Sequence, residues 1–120
     1  MDLNVTRHDG YIVARPGGNL DETARESFRE QLHPLFAAKG TRLIVDLSGS
    51  PRINSAGVGN LVALVADANT NDSRVILCSL QPYVAMVISV TKLDKFFEIA
   101  ASVEEAAGRA KPRPTAEVGG

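Results

Sequence analysis

An α/β fold with a mostly parallel sheet of about five strands is predicted by three observations in this 120-residue sequence. Two apolar runs, residues 43–45 and residues 75–80, show no regular polar alternation, as strands covered on both faces do. Stretches with apolar residues at three- and four-residue spacings alternate with these runs, the pattern of parallel strands joined by right-handed crossover helices. Asp9-Gly10 between two extended segments signals a hairpin, which adds one antiparallel edge strand.

The hairpin comprises residues 3–7 and 11–15, with the first segment at the sheet edge. Gly17 and Gly18 break the second segment. Asp21 is then placed to cap a long helix carrying Leu20, Ala24, Phe28, Leu32, Leu35 and Phe36 on one side, kinked at Pro34 and ended at Gly40. The buried strand from Leu43 runs out at Asp46 and Ser48, and Ser48, Gly49, Ser50 and Pro51 supply turn chemistry. Ile53 anchors the loop from beneath. Asn54 and Ser55 are candidate caps of a second helix, with Val58, Leu61, Val62, Val65 and Ala68 inward, running to about Asn69. A polar cluster, residues 70–73, precedes the strand at residues 75–80. Pro82 opens a third helix that stops near Lys92, residues 96–100 form a last strand, and Ser102 caps a closing helix with Val103 and Ala106 inward. The order is ββαβαβαβα. Residues 1–107 make one domain, and residues 108–120, with prolines, glycines and charges but no apolar period, read as a disordered tail.

Composition narrows the function. The formal net charge is −1, with acids and bases dispersed, which gives no electrostatic footprint for nucleic acid or an anionic membrane. No apolar segment approaches the roughly 18 residues needed to span a bilayer, and the amino terminus lacks the pattern of an export signal. A cytoplasmic protein is expected. The single cysteine, Cys78, lies in an apolar run and reads as a buried reduced thiol.

Ser55 is the residue of greatest interest, because it sits at the positive end of a helix dipole on the carboxyl edge of a parallel sheet. It does not fit a nucleophile elbow, which needs a glycine two positions earlier where this chain has Ile53. Only His8 and His33 are available as bases, and both read as solvated surface residues. Gly57-Val58-Gly59 superficially resembles a dinucleotide fingerprint, but the third glycine is Val62 and the next strand ends without an acid for a ribose. No Cys/His cluster has metal-ligand spacing, Asp21 and Asp46 read as well as a cap and a strand end, and no cofactor is implied. The plain reading of Asn54 and Ser55 is that they cap a helix. Against it stands the third helix, whose stripe of Val84, Val87 and Ile88 is flanked by Tyr83, Met86 and Val90, wider than an amphipathic helix needs. Either the closing helix covers that flank or it is an apolar patch for another protein.

These residues resemble the STAS domain of anti-sigma factor antagonists over roughly residues 5–107. Four segments carry the likeness: Gly18-Asn19-Leu20-Asp21, similar to the family's G-x-L-D loop; Leu43-Ile44-Val45-Asp46-Leu47-Ser48; Ile53-Asn54-Ser55-Ala56-Gly57-Val58-Gly59, similar to its D-S-[ST]-G-[LV]-G signature; and Leu93-Asp94-Lys95-Phe96-Phe97-Glu98-Ile99. The resemblance implies a sheet with strands in chain order, and Ser55 as the phosphoacceptor. It also implies a non-catalytic switch whose docking surface comprises Asp21, Asn54, Ser55, Ala56, Gly57, Val58, Tyr83, Met86 and Val90. The implied partner is an anti-sigma factor with a histidine-kinase-like ATPase fold that acts as a serine kinase, with a serine phosphatase as a candidate resetting partner. Two positions depart from the family: Asn54 replaces the acid before the phosphoacceptor, so the loop loses a charge, and Ala56 removes a competing hydroxyl. The alternative is a constitutive STAS interaction module of a transport or signalling assembly, in which Ser55 is only a cap. A small nucleotide-binding protein or enzyme is the third reading.

Overall fold

A computed structural model describes residues 1–110. The elements are β1 (Asp2–His8), β2 (Tyr11–Gly17), α1 (Ala24–Gln31), a 3-10 helix (His33–Ala37), β3 (Arg42–Asp46), α2 (Ser55–Thr70), β4 (Arg74–Cys78), α3 (Pro82–Val90), β5 (Glu98–Ala100) and α4 (Val103–Ala110). The five strands lie side by side in chain order; β1 and β2 are antiparallel and the other neighbours parallel.

Strand residues alternate between two cores because successive side chains leave a strand on opposite faces. Ile12, Ala14, Leu43, Val45, Val75 and Leu77 meet α1, α2 and α3, where Phe28, Leu61, Leu64, Val84 and Ile88 are buried. Val13, Ile44, Ile76, Cys78 and Ala100 meet α4, which contributes buried Ala106, Ala107 and Ala110 and a partly buried Val103. Both faces of β3 and β4 are therefore dry, which explains their unbroken apolar character. Cys78 is a buried free thiol, and burial pushes its pKa up to about 11. Around α4 the contacts turn ionic: Arg74 Nε donates to Glu98 Oε1 at 2.7 Å and Arg109 Nη1 to the Ile99 carbonyl at 3.1 Å. Ser102 caps α4 as expected, its Oγ accepting the Glu105 N–H at 3.1 Å.

Several local expectations are corrected. The first helix is not one long kinked rod. It starts at Ala24, ends at Gln31 and is followed by a 3-10 turn, because Pro34 has no N–H to give and its ring crowds the carbonyl four residues earlier. Leu32 and Phe36 remain buried across the break. Asp21 does not cap that helix; its Oδ1 accepts the Thr23 N–H at 3.0 Å and the Thr23 hydroxyl at 2.5 Å, an Asx-type turn that precedes it. β4 stops at Cys78 because Ser79 turns the chain at φ 56°, and β5 begins only at Glu98, with Phe96 and Phe97 bonded back to Leu93. α4 continues to Ala110, past the point at which the tail was expected to start, and the rest of that expected tail, residues 111–120, lies outside the described residues. His33 also differs from a solvated surface histidine: it is half-buried with Nδ1 2.7 Å from Asp67 Oδ2. His8 is exposed and stacks on Tyr11.

Asp46 closes β3 as a buried carboxylate. Burial raises its pKa, but hydrogen bonds from Ser48 and from Arg15 outweigh that and hold it below the ordinary value. A carboxyl that titrates lower folded than unfolded contributes stability above its unfolded pKa, about 3.9, and loses it as pH falls through the folded value. Arg15→Gln removes the partner at 2.7 Å. The variant is expected to unfold at higher pH than the wild type in an acid titration followed by circular dichroism, with the difference shrinking as pH falls through the folded-state pKa of Asp46 and the carboxyl becomes protonated in both.

Candidate functional site

The site is assembled by two loops on the carboxyl edge of the sheet. The loop after β2 and the loop after β3 are zipped by paired backbone bonds: the Leu20 N–H donates to the Arg52 carbonyl at 2.9 Å, and the Asn54 N–H to the Leu20 carbonyl at 3.1 Å. Leu20 and Ile53 form a parallel bridge and are both buried, so the second loop is pinned from below as its sequence suggests. The Asn60 amide adds a 3.0 Å bond to the Asp21 carbonyl. On the other side, Gln81 Nε2 donates to the Ser48 carbonyl at 2.6 Å and ties the start of α3 to the same loop.

Gly57 has a specific reason to lack a side chain. A Cβ there would lie 2.0 Å from the Leu20 carbonyl oxygen and 2.9 Å from Ile53 Cγ1. The Gly57-Val58-Gly59 run is therefore helical packing within α2, not a phosphate-binding loop. Gly57 is buried, which moves it from the expected docking surface to the support beneath.

Asn54, not Ser55, caps α2. Its Oδ1 accepts the Gly57 N–H at 2.9 Å, and its Nδ2 donates to Glu22 Oε2 at 3.4 Å. Intrahelical bonding starts with the Val58 N–H and the Asn54 carbonyl, so the Ser55 and Ala56 N–H groups stand at the open, positive end of the helix. Ser55 is the first residue of α2, exposed, and its hydroxyl makes no hydrogen bond among the described residues.

Two shallow clefts flank this serine and share Ile53, Asn54 and Tyr83. One is completed by Asn19, Leu20, Asp21 and Arg52. The other is completed by Ser55, Val58, Val87 and Thr91. The flank of α3 is bare: Tyr83 is 40% exposed, Met86 48% and Val90 71%. Of the two outcomes open at the sequence level, α4 does not cover it, because α4 packs on the opposite face of the sheet. Asp21, Asn54, Ser55, Val58 and Tyr83 thus converge around the clefts, while Ala56, Met86 and Val90 extend the exposed surface. The Asp21 carboxyl is held below its ordinary pKa by the Thr23 hydroxyl and N–H.

Arg52 is the residue that motif reasoning passed over. Its guanidinium carbon sits 5.1 Å from the centroid of the Tyr83 ring. The signal available was its isolation, since it is the sole lysine or arginine between Arg42 and Arg74. Neither histidine lines the clefts around Ser55, and among the described residues no group of three or more His, Cys, Asp or Glu side chains is placed to hold a metal.

Gly57→Ala is expected to cost about 3 kcal/mol or more in denaturant unfolding, since the clash is with backbone that cannot swing aside. Asn54→Ala, which removes the cap, is expected to cost about 1 kcal/mol, and Ser55→Ala much less.

Residues 2–106 match the model of the STAS domain family. BtrV of Bordetella bronchiseptica, described as an anti-sigma factor antagonist, is 25% identical over 111 residues, which is 92% of this chain and 96% of BtrV. Among solved structures, TM1081 of Thermotoga maritima, given the same description, superposes with a TM-score of 0.81 at 20% identity, covering 90% of this chain and 93% of its own. The anti-sigma factor antagonist SpoIIAA in its unphosphorylated form superposes at 0.66 and 20% identity, covering 90% and 96%. With the strand order, the two zipped loops and the Ser55 turn all in place, the chain belongs to the STAS domain family and is related to the anti-sigma factor antagonists.

Proposed function

We propose that this protein is a phosphorylation-controlled antagonist of an anti-sigma factor, with Ser55 as the phosphoacceptor. The observation that carries this reading is the division of labour at the start of α2. Asn54 performs the capping, so the neighbouring hydroxyl is exposed without a structural bond among the described residues. A serine kept only as a cap would have its oxygen in use. The regulatory, non-catalytic character of the family accords with this role.

In the proposed cycle the partner is an anti-sigma factor with a histidine-kinase-like ATPase fold. It docks on the Ser55 loop and the apolar flank of α3. The partner supplies ATP and magnesium; the Ser55 oxygen attacks the γ-phosphorus, its bond to the bridging oxygen breaks, ADP leaves, and the hydroxyl proton passes to the partner. The product carries about 1.5 to 2 additional negative charges at a helix amino terminus that tolerates them, so the fold survives. Docking does not survive, because a hydrated dianion now occupies a face built for a small hydroxyl beside Val58, Tyr83 and Val87. A serine phosphatase would restore binding. Replacement of the family's acid by Asn54 leaves a carboxylate nearby, since Glu22 lies against the Asn54 amide.

Ser55→Asp is expected to lose binding to the anti-sigma factor in calorimetry, while Ser55→Ala retains it and accepts no phosphate from that partner. Equal affinities for wild type and both variants would exclude the switch and leave a constitutive interaction module. Met86→Asp is expected to weaken binding by about tenfold or more without changing the thermal midpoint, because it charges an exposed apolar contact and touches no core.

A further inference from the structure

Arg52 is the one cation lining the two clefts around Ser55. Its backbone is fixed, with its carbonyl accepting the Leu20 N–H and the next residue, Ile53, buried. Its side chain is not fixed. Among the described residues the guanidinium has no carboxylate or carbonyl partner and rests only on the exposed Tyr83 ring, 5.1 Å from the centroid. Such a contact at a solvated site is a weak hold.

Tyr83 is a wall of both clefts, of which one is lined by Arg52 and the other by Ser55. Arg52 and Ser55 are three residues apart, so their Cα atoms are separated by at most about 11 Å. A long arginine arm and a phosphoserine can meet across that span. The nearby carboxylates are already engaged, Asp21 with Thr23 and Glu22 with the Asn54 amide, and Asn54 itself carries no charge to compete.

We propose that Arg52 is a built-in receptor for the phosphate on Ser55: on phosphorylation its guanidinium leaves the Tyr83 ring and forks onto the phosphate oxygens. This role rests on Ser55 being the phosphoacceptor, and it specifies how the modification is read within the chain itself. A guanidinium is suited to it because its planar fork matches two phosphate oxygens at once. The docking face then changes twice over, once by gaining a phosphate and again by losing the arginine that covered Tyr83.

The test uses full-length protein with phosphoserine installed at position 55 during translation, so no kinase is required. Phosphorus NMR titration of the wild type is expected to place the second phosphate pKa below the usual value of about 6. Arg52→Gln should move it back up, and Arg52→Lys should fall between. The helix terminus acts equally on all three, so the difference isolates Arg52. Tyr83 ring resonances should shift further on phosphorylation in the wild type, where the guanidinium also leaves the ring, than in Arg52→Gln. Identical phosphate titrations for wild type and Arg52→Gln, or Tyr83 resonances in the wild type that ignore the phosphate, would overturn the proposal. Failure of the switch itself would show separately, as unmodified Ser55 in native cells or as partner binding indifferent to the installed phosphate.

Discussion

The carbonyl of Leu20 is the point on which the functional edge depends. It accepts the Asn54 N–H and leaves no room for a side chain at Gly57. One oxygen atom therefore fixes both the approach of the β3–α2 loop and the depth to which the first turn of α2 settles. Were it displaced, the cap, the exposed serine and the bridge between Leu20 and Ile53 would lose their common reference. The exposed serine thus rests on buried, exacting packing. Ser55 is held at the surface by a loop whose supports, Leu20, Ile53 and Gly57, are all buried.

Helix geometry then separates duties for which Asn54 and Ser55 are equal candidates in the sequence. The capping position has extended backbone, which aims Asn54 Oδ1 back at the Gly57 N–H. The residue after it is already helical, and its side chain points outward to solvent. Capping and exposure are thus assigned to adjacent residues by backbone conformation alone. The same economy holds across the clefts, where Val84 and Ile88 of α3 are buried while Tyr83 and Met86 on the same helix face outward.

Much of this was legible in the sequence. The apolar runs at β3 and β4 read as doubly covered strands because they are, and the Asp9-Gly10 turn and the Ser102 cap were visible because local chemistry decides them. The errors fall where two local rules compete or where contacts are remote. Pro34 was expected to bend a helix whose one-sided apolar pattern continued, and the pattern does continue, but across a 3-10 segment. Asp21 suits a cap and an Asx turn equally, and Thr23 two residues later decided between them. The Glu22–Asn54, Arg52–Tyr83 and His33–Asp67 contacts join residues 31 to 34 positions apart, and no periodicity encodes them. The side of the sheet taken by α4 was equally hidden, since alanines pack against either face.

That placement of α4 has a wider consequence. The sheet is a partition: three helices and the serine lie before it, and one alanine-faced helix strapped by Arg74, Glu98 and Arg109 lies behind. Among the described residues the two cores are built on opposite faces of the same strands. Substitutions behind the partition can retune the overall robustness of the molecule while the surface around Ser55 in front keeps its shape, so durability and surface chemistry can drift independently in a domain this small.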